Sequence, residues 1–187
     1  MGDRAVLWIG QPETEDSLKS LRCLLPALEA ASAPLWFRAH PRDEGYARGA
    51  YAKLLDRAQA KDLTAAALDE CLRMGPALVA TQFSSVAIEA GFWGIPALNV
   101  LLPDAGAARL AAKKGYAVPP WCEAGAAFLI RDRTEAHTML NKALGSPQAR
   151  ARALECFDRY FSVHEEGARQ LINVLYNHDF LQRRGRL

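Results

Sequence analysis

The sequence has no apolar run long enough to span a bilayer. Its longer runs, such as Phe83 to Ile88, are short, and Glu89 closes that one with a charge. It also lacks the charged, then apolar, then small-residue order of a secretion signal. Met1-Gly2-Asp3-Arg4 leads almost at once into Ala5-Val6-Leu7-Trp8-Ile9. Charge of one sign is scarce, and a formal net charge of +2 argues against nucleic acid as the main partner. No Cys-x-x-Cys pair occurs among Cys23, Cys71, Cys122 and Cys156. Without a secretion signal, these read as buried free thiols rather than disulfides. His137, His164 and His178 fall on predicted helices without metal-ligand spacing, so no metal is expected. There is no Gly-Lys-Ser/Thr loop, no Gly-x-Ser-x-Gly elbow, no His-Glu-x-x-His and no GxGxxG, and no cofactor is expected either. Together these absences favour a cytoplasmic protein. Membrane contact would be at most peripheral, through the basic end Arg183-Arg184-Gly185-Arg186.

What is present is an ordinary globular composition, 50% hydrophobic and 24% charged, which excludes a disordered chain. Its 187 residues suit one domain with a substantial core. Short apolar runs alternate with longer helical stretches, as in a parallel sheet with crossover helices. Strands are predicted at Ala5–Ile9, Leu35–Ala39, Ala77–Thr81 and Pro96–Leu102. A further short strand or a helix is open around Asp62 to Ala66. Helices are predicted from Thr14 to about Ala31 with a kink or break at Pro26, and through Tyr46, Tyr51, Leu54 and Leu55. Others run from Leu68 to Met74, from Ser84-Ser85 to near Gly94, and from Ala105 to Lys114 with Gly115 as C-cap. Val118-Pro119-Pro120-Trp121 reads as irregular. Helices then cover Glu135 to Leu144 and most of Gln148 to Arg184, with a break left open at Ser162-Val163-His164. The expectation is an α/β, doubly wound, Rossmann-like parallel sheet with helices on both faces. One domain fills 1–187, with a sheet core over about 4–130 and extra C-terminal helices over about 134–184.

In open parallel sheets, ligands bind outside the carboxyl ends of the strands. Three such ends carry suggestive residues: Gly10-Gln11, His40-Pro41-Arg42 and Thr81-Gln82-Phe83-Ser84-Ser85. Ser84 and Ser85 at a helix start offer hydroxyls, free amides and the positive end of the helix dipole, which suit a phosphate. Glu89 lies one turn further on the same face, where its carboxylate can accept bonds from a ribose diol. The plainer alternative is a helix cap at Ser84 or Ser85 with Glu89 solvated or salt-bridged. His40 either points into the crevice from its strand end or is a satisfied structural histidine. Arg42 and Arg38 supply charge for a diphosphate or are simply solvated. Gly10 permits close backbone approach. Leu171, Ile172, Val174, Leu175 and Phe180 make an apolar helical face that packs on the sheet or docks another subunit.

Taken in order, these motifs resemble the C-terminal, nucleotide-sugar-binding domain of GT-B-fold glycosyltransferases. They are similar to the CDP-glycerol glycerophosphotransferase and UDP-GlcNAc 2-epimerase-like group. The resemblance rests on Leu35-Trp36-Phe37-Arg38-Ala39-His40-Pro41, then on the run from Ala77 through Ser84-Ser85 to Glu89-Ala90, then on Gly94-Ile95-Pro96-Ala97-Leu98-Asn99-Val100. It spans roughly Ala5 to Gly115. It implies half of a GT-B fold, with Ser84 and Ser85 on the phosphates, Glu89 on the ribose, and His40 and Gly10 lining the donor cleft. The implied ligand is a UDP-, CDP- or GDP-linked sugar. The acceptor-binding half of such enzymes has no counterpart here, which implies a partner chain or an N-terminal domain. The Glu-x7-Glu pair of many retaining enzymes is also unmatched, because Ala97 stands where the second glutamate would be. An epimerase-like enzyme on the same scaffold and a non-catalytic binding or assembly module remain the other readings.

Overall fold

The structure is a computed structural model that describes residues 4–161. Its centre is a six-stranded sheet in which every neighbouring pair is parallel, in the order β3-β2-β1-β4-β5-β6. The strands are β1 (Val6–Ile9), β2 (Leu35–Arg38), β3 (Lys61–Asp62), β4 (Leu78–Thr81), β5 (Ala97–Val100) and β6 (Phe128–Ile130). This is the doubly wound order expected, with its reversal between β1 and β4. β1, β4 and β5 are buried throughout and so read as near-continuous apolar runs rather than alternating ones, interrupted by Thr81 and Asn99.

Two helical layers account for that burial. On one face, α1 (Thr14–Ala30) and α8 (Ala136–Gly145) press Leu21, Leu24, Leu28 and Leu140 against Val6, Trp8, Leu78, Leu98 and Val100. On the other, α4 (Leu68–Arg73) and α5 (Val86–Phe92) set Cys71, Leu72, Val86 and Ala90 against Leu7, Ile9 and Val79. Successive strand residues point to opposite faces, so both layers draw on the same short strands.

The remaining helices are short apart from α6 (Ala107–Lys114) and α9 (Pro147–Tyr160). α6 ends on Gly115 in the left-handed conformation, φ 76°, as its C-cap glycine predicts.

Several expectations are corrected. α1 runs unbroken through Pro26, because the proline faces solvent while Leu24, Leu25, Ala27 and Leu28 stay buried around it. The lost amide bond is thereby outweighed by an intact apolar face. The stretch carrying Tyr46 and Tyr51 is two helices, α2 (Glu44–Ala47) and α3 (Ala52–Arg57), separated at Gly49 with φ 75°. The short strand near Asp62 exists, starting one residue earlier at Lys61. Pro120 and Trp121, expected to be irregular with Val118 and Pro119, open the one-turn helix α7 (Pro120–Glu123), with proline in its first turn. β6 has no counterpart among the expected strands: it is three residues long and comes after an alanine-rich segment with no strand pattern. The expectations for 162–187, including His164, His178 and the apolar face from Leu171 to Phe180, lie outside the described residues.

Candidate functional site

All strands run parallel, so their carboxyl ends share one edge of the sheet. β1 lies between β2 and β4, which brings Gly10-Gln11, His40 to Asp43, and Gln82 to Ser85 side by side. The sheet order reverses at this point, which is where open parallel sheets carry their ligand crevice.

Gly10 is held against the end of β2. Its amide donates to the Arg38 carbonyl at 2.9 Å, and a Cβ at Gly10 would lie 3.2 Å from the His40 nitrogen. The glycine thus permits the close approach of two backbones. His40 is half-buried at the next loop, where its Nδ1 accepts the Arg42 amide at 3.0 Å. That bond places the neutral ring's proton on Nε2, which is then a donor. Burial first, and the Arg42 charge second, hold the imidazole below its ordinary value, so the neutral form prevails near neutrality. The Arg42 side chain is exposed.

The loop carrying His40 and Arg42 is pinned by a residue that sequence reasoning did not single out. Asp43 is 5% exposed and accepts the Gly45 amide at 3.0 Å, the Tyr46 amide at 3.3 Å, and the Thr14 and Tyr51 hydroxyls, each at 2.5 Å. Thr14, expected as a helix cap, instead ties α1 to this loop. Burial and the bond to Asp43 push the Tyr51 phenol well above its ordinary value.

At the third loop, Ser84 realises the cap: its Oγ accepts the Val86 amide at 3.3 Å. Ser85 takes the N-cap position by backbone alone, and its side chain makes no cap bond and is exposed. Glu89 comes one turn on, its amide bonded to the Ser85 carbonyl at 3.0 Å. Its exposed carboxylate has no hydrogen-bond or ion-pair partner among the described residues. Gly10 and His40 touch, and Ser84, Ser85 and Glu89 share the start of α5. The two groups meet across the β1–β4 junction through their strands rather than by direct contact.

A buried polar layer underlies the crevice. Thr81 Oγ1 donates to the Ile9 carbonyl at 3.0 Å, tying β4 to β1. Gln82, fully buried, donates from Nε2 to Ser20 Oγ at 2.9 Å. Asn99 Nδ2 donates to the Gln82 carbonyl at 2.6 Å. At the α6 side, Arg109 pairs with Glu13 and Asp16, and its guanidinium carbon lies 6.0 Å from the centre of the Phe83 ring. Burial alone would raise the Glu13 carboxyl, but the bond from Lys113 and the Arg109 charge outweigh it and bring it below the ordinary range. Among the described residues no cluster of histidine, cysteine, aspartate or glutamate is arranged to hold a metal ion. Nor is any described helix long and apolar enough to cross a membrane.

No protein-family model matches the chain, and no curated protein matches it by sequence. Solved structures do share its architecture. The UDP-GlcNAc 2-epimerase of Methanocaldococcus jannaschii, solved with UDP-GlcNAc and UDP, superposes with a TM-score of 0.57 at 16% identity. That match covers 87% of this chain and 46% of the epimerase. The wall teichoic acid polymerase TagF matches with a TM-score of 0.56 at 15% identity, over 98% of this chain and 45% of its own. HepE of Anabaena, solved with UDP, matches with a TM-score of 0.56 at 16% identity, over 92% and 49%. This chain therefore spans less than half the length of each. At such identities the likeness establishes the fold, and that fold is the one the motif order implied: the C-terminal half of a GT-B architecture.

Proposed function

We propose that this chain is the donor-binding domain of a glycosyltransferase and holds a nucleotide-diphospho-sugar at the β1–β4 junction. The observation that carries this is the convergence of Gly10, His40 and the Ser84-Ser85 turn on neighbouring strand ends, where the sheet order reverses. In this reading the diphosphate rests on Ser84 and Ser85, and Glu89, exposed one turn into α5, takes the ribose diol. Gly10 lets the ligand approach the backbone, His40 donates from Nε2, and Arg42 adds positive charge at the rim. The protein contributes charge stabilisation of the departing diphosphate, which lowers the barrier most when the donors are already in place. Two of the structural relatives were solved with UDP bound, which supports a nucleoside diphosphate as the ligand class.

Transfer requires an acceptor site, which a partner chain or a preceding domain would supply, since the chain matches less than half of its structural relatives. The whole of 1–187 then acts as one donor domain, in the cytoplasm where its ligand is available. An epimerase on the same scaffold is the second reading, favoured by the match to the M. jannaschii enzyme.

Calorimetric titration with UDP, CDP, GDP and their common sugars tests the proposal. One nucleotide is expected to bind, and Glu89→Ala to weaken it by roughly ten- to a hundredfold, the loss of a charge-assisted bond worth about 1.5–3 kcal/mol. A folded chain that binds none of them refutes the proposal and favours an assembly module. Interconversion of free UDP-GlcNAc, without any acceptor, selects the epimerase.

A further inference from the structure

The turn that carries Ser84 and Ser85 is anchored through one residue, Gln82, from both faces of the sheet. On the α1 face, the Gln82 side chain reaches Ser20 at 2.9 Å. On the α5 face, its carbonyl receives Asn99 Nδ2 at 2.6 Å. Asn99 is fully buried near the end of β5, between Leu98 and Val100, where an apolar residue would cost nothing in desolvation. Its other end is also committed: Oδ1 accepts from Trp121 Nε1 and from Cys122 Sγ, each at 3.2 Å, both in α7. An amide with donors on one end and an acceptor on the other cannot flip without breaking every bond it makes.

We propose that Asn99 is the positioning residue of the nucleotide site, fixing the Phe83–Ser85 turn through the Gln82 carbonyl and itself aligned by Trp121. It touches no ligand. Only Phe83 separates Gln82 from Ser84, so the direction in which the backbone leaves β4 is set by the carbonyl that Asn99 holds. The relay also explains why α7 packs where it does, with Trp121 and Cys122 against Ala87 and Ala97. The assignment rests on the nucleotide reading above, and its test separates the two.

The variants are Asn99→Asp, which keeps the shape but turns a donor into a repelling oxygen, and Trp121→Phe, which removes the aligning N–H together with part of the ring that packs on Ala87 and Ala97. Backbone hydrogen exchange is measured first, without ligand. Both variants are expected to exchange the Val86, Ala87 and Ile88 amides, which bond to Ser84 and Ser85, about tenfold faster, while amides of α1 and β2 keep their rates. Titration with UDP comes second, with an expected tenfold loss of affinity in each variant and no change in exchange for Glu89→Ala. If Asn99→Asp fails to fold, Trp121→Phe carries the test, because Trp121 is at the surface and half-buried. Unchanged exchange at Val86, Ala87 and Ile88 in folded Trp121→Phe overturns the inference, as does unchanged UDP affinity in the variants where the wild type binds. A wild-type chain that exchanges as expected but binds no nucleotide overturns the nucleotide reading instead.

Discussion

Replacing Gly91 by alanine sets two physical effects against each other, and the structure decides between them. Gly91 lies inside α5, where alanine is intrinsically favoured over glycine by about 1 kcal/mol. Yet a methyl group there would lie under 3.0 Å from three atoms of the Phe157 ring on α9, whereas ordinary contact needs 3.4–4 Å. Phe157 has little freedom to retreat. It is 3% exposed, sits edge-on to Phe92 with centroids 5.2 Å apart, and tilts against Phe161 at 4.7 Å. Overpacking of this kind costs about 1–3 kcal/mol and includes displacement of neighbours. The clash here involves three atoms of a rigid ring, which puts the cost at the upper end. Subtracting the propensity gain leaves a net loss of roughly 1–2 kcal/mol. For a chain of this size that is roughly 2–8 °C in melting temperature. Thermal and urea unfolding measure it directly. Phe157→Leu in the Gly91→Ala background should recover part of the loss, with a coupling energy of about 0.5–3 kcal/mol in the double-mutant cycle. A Gly91→Ala protein that melts above wild type would refute the packing argument and leave propensity as the winner.

Other substitutions probe the site itself. Gly10→Ala brings a Cβ to 3.2 Å from the His40 nitrogen, so unfolding should show a loss of about 1 kcal/mol, and the His40 ring resonances should shift. Stability unchanged with His40 undisturbed would contradict the close approach. Ser84→Ala should cost about 0.5–1 kcal/mol as a lost cap, while Ser85→Ala, which removes no cap bond, should fall within about 0.5 kcal/mol of wild type. Equal losses would reverse the assignment of the two hydroxyls. For His40, whose folded value is depressed from 6.5, the unfolded chain takes up the proton first as pH falls. Its contribution to stability is full above 6.5 and is lost as pH drops from there towards the folded value. The wild-type urea midpoint should therefore fall more steeply than that of His40→Gln between about pH 7 and about pH 5.5. Parallel pH profiles would contradict the depressed value.

The parallel sheet is legible in the sequence because its strands are local and strongly apolar. Val6–Ile9, Leu35–Arg38, Leu78–Thr81 and Ala97–Val100 each end at a turn signal, and helical patterns lie between them. β6 is not legible, since three residues carry no periodicity and only pairing with Leu98 to Val100 defines them. Of the kink or break expected at Pro26, the break does not occur, because local backbone preference does not register the burial of the residues around it. At the site, Gly10, His40, Ser84 and Ser85 can be placed because loops at strand ends are sequence-local. The buried layer beneath them cannot be read that way. Asn99, Ser17, Ser20 and Asp43 gain their partners only in three dimensions, most of them across long stretches of chain. The available clue is a polar residue between Leu98 and Val100 in an otherwise apolar strand, which reads as a flaw until its partners are known.

The hydrogen bond from Thr81 to Ile9 closes a separation of 72 residues, and it lies at the floor of the crevice. One wall of the crevice is therefore written early in the chain and the other only after β4 has docked beside β1. No fragment ending before Leu78 holds both walls, and no partly folded form that lacks this pairing can grip a ligand across them. A ligand bound here would act as a clasp on the finished sheet alone. It would stabilise the folded form over every form in which β4 has not joined β1, in step with its occupancy.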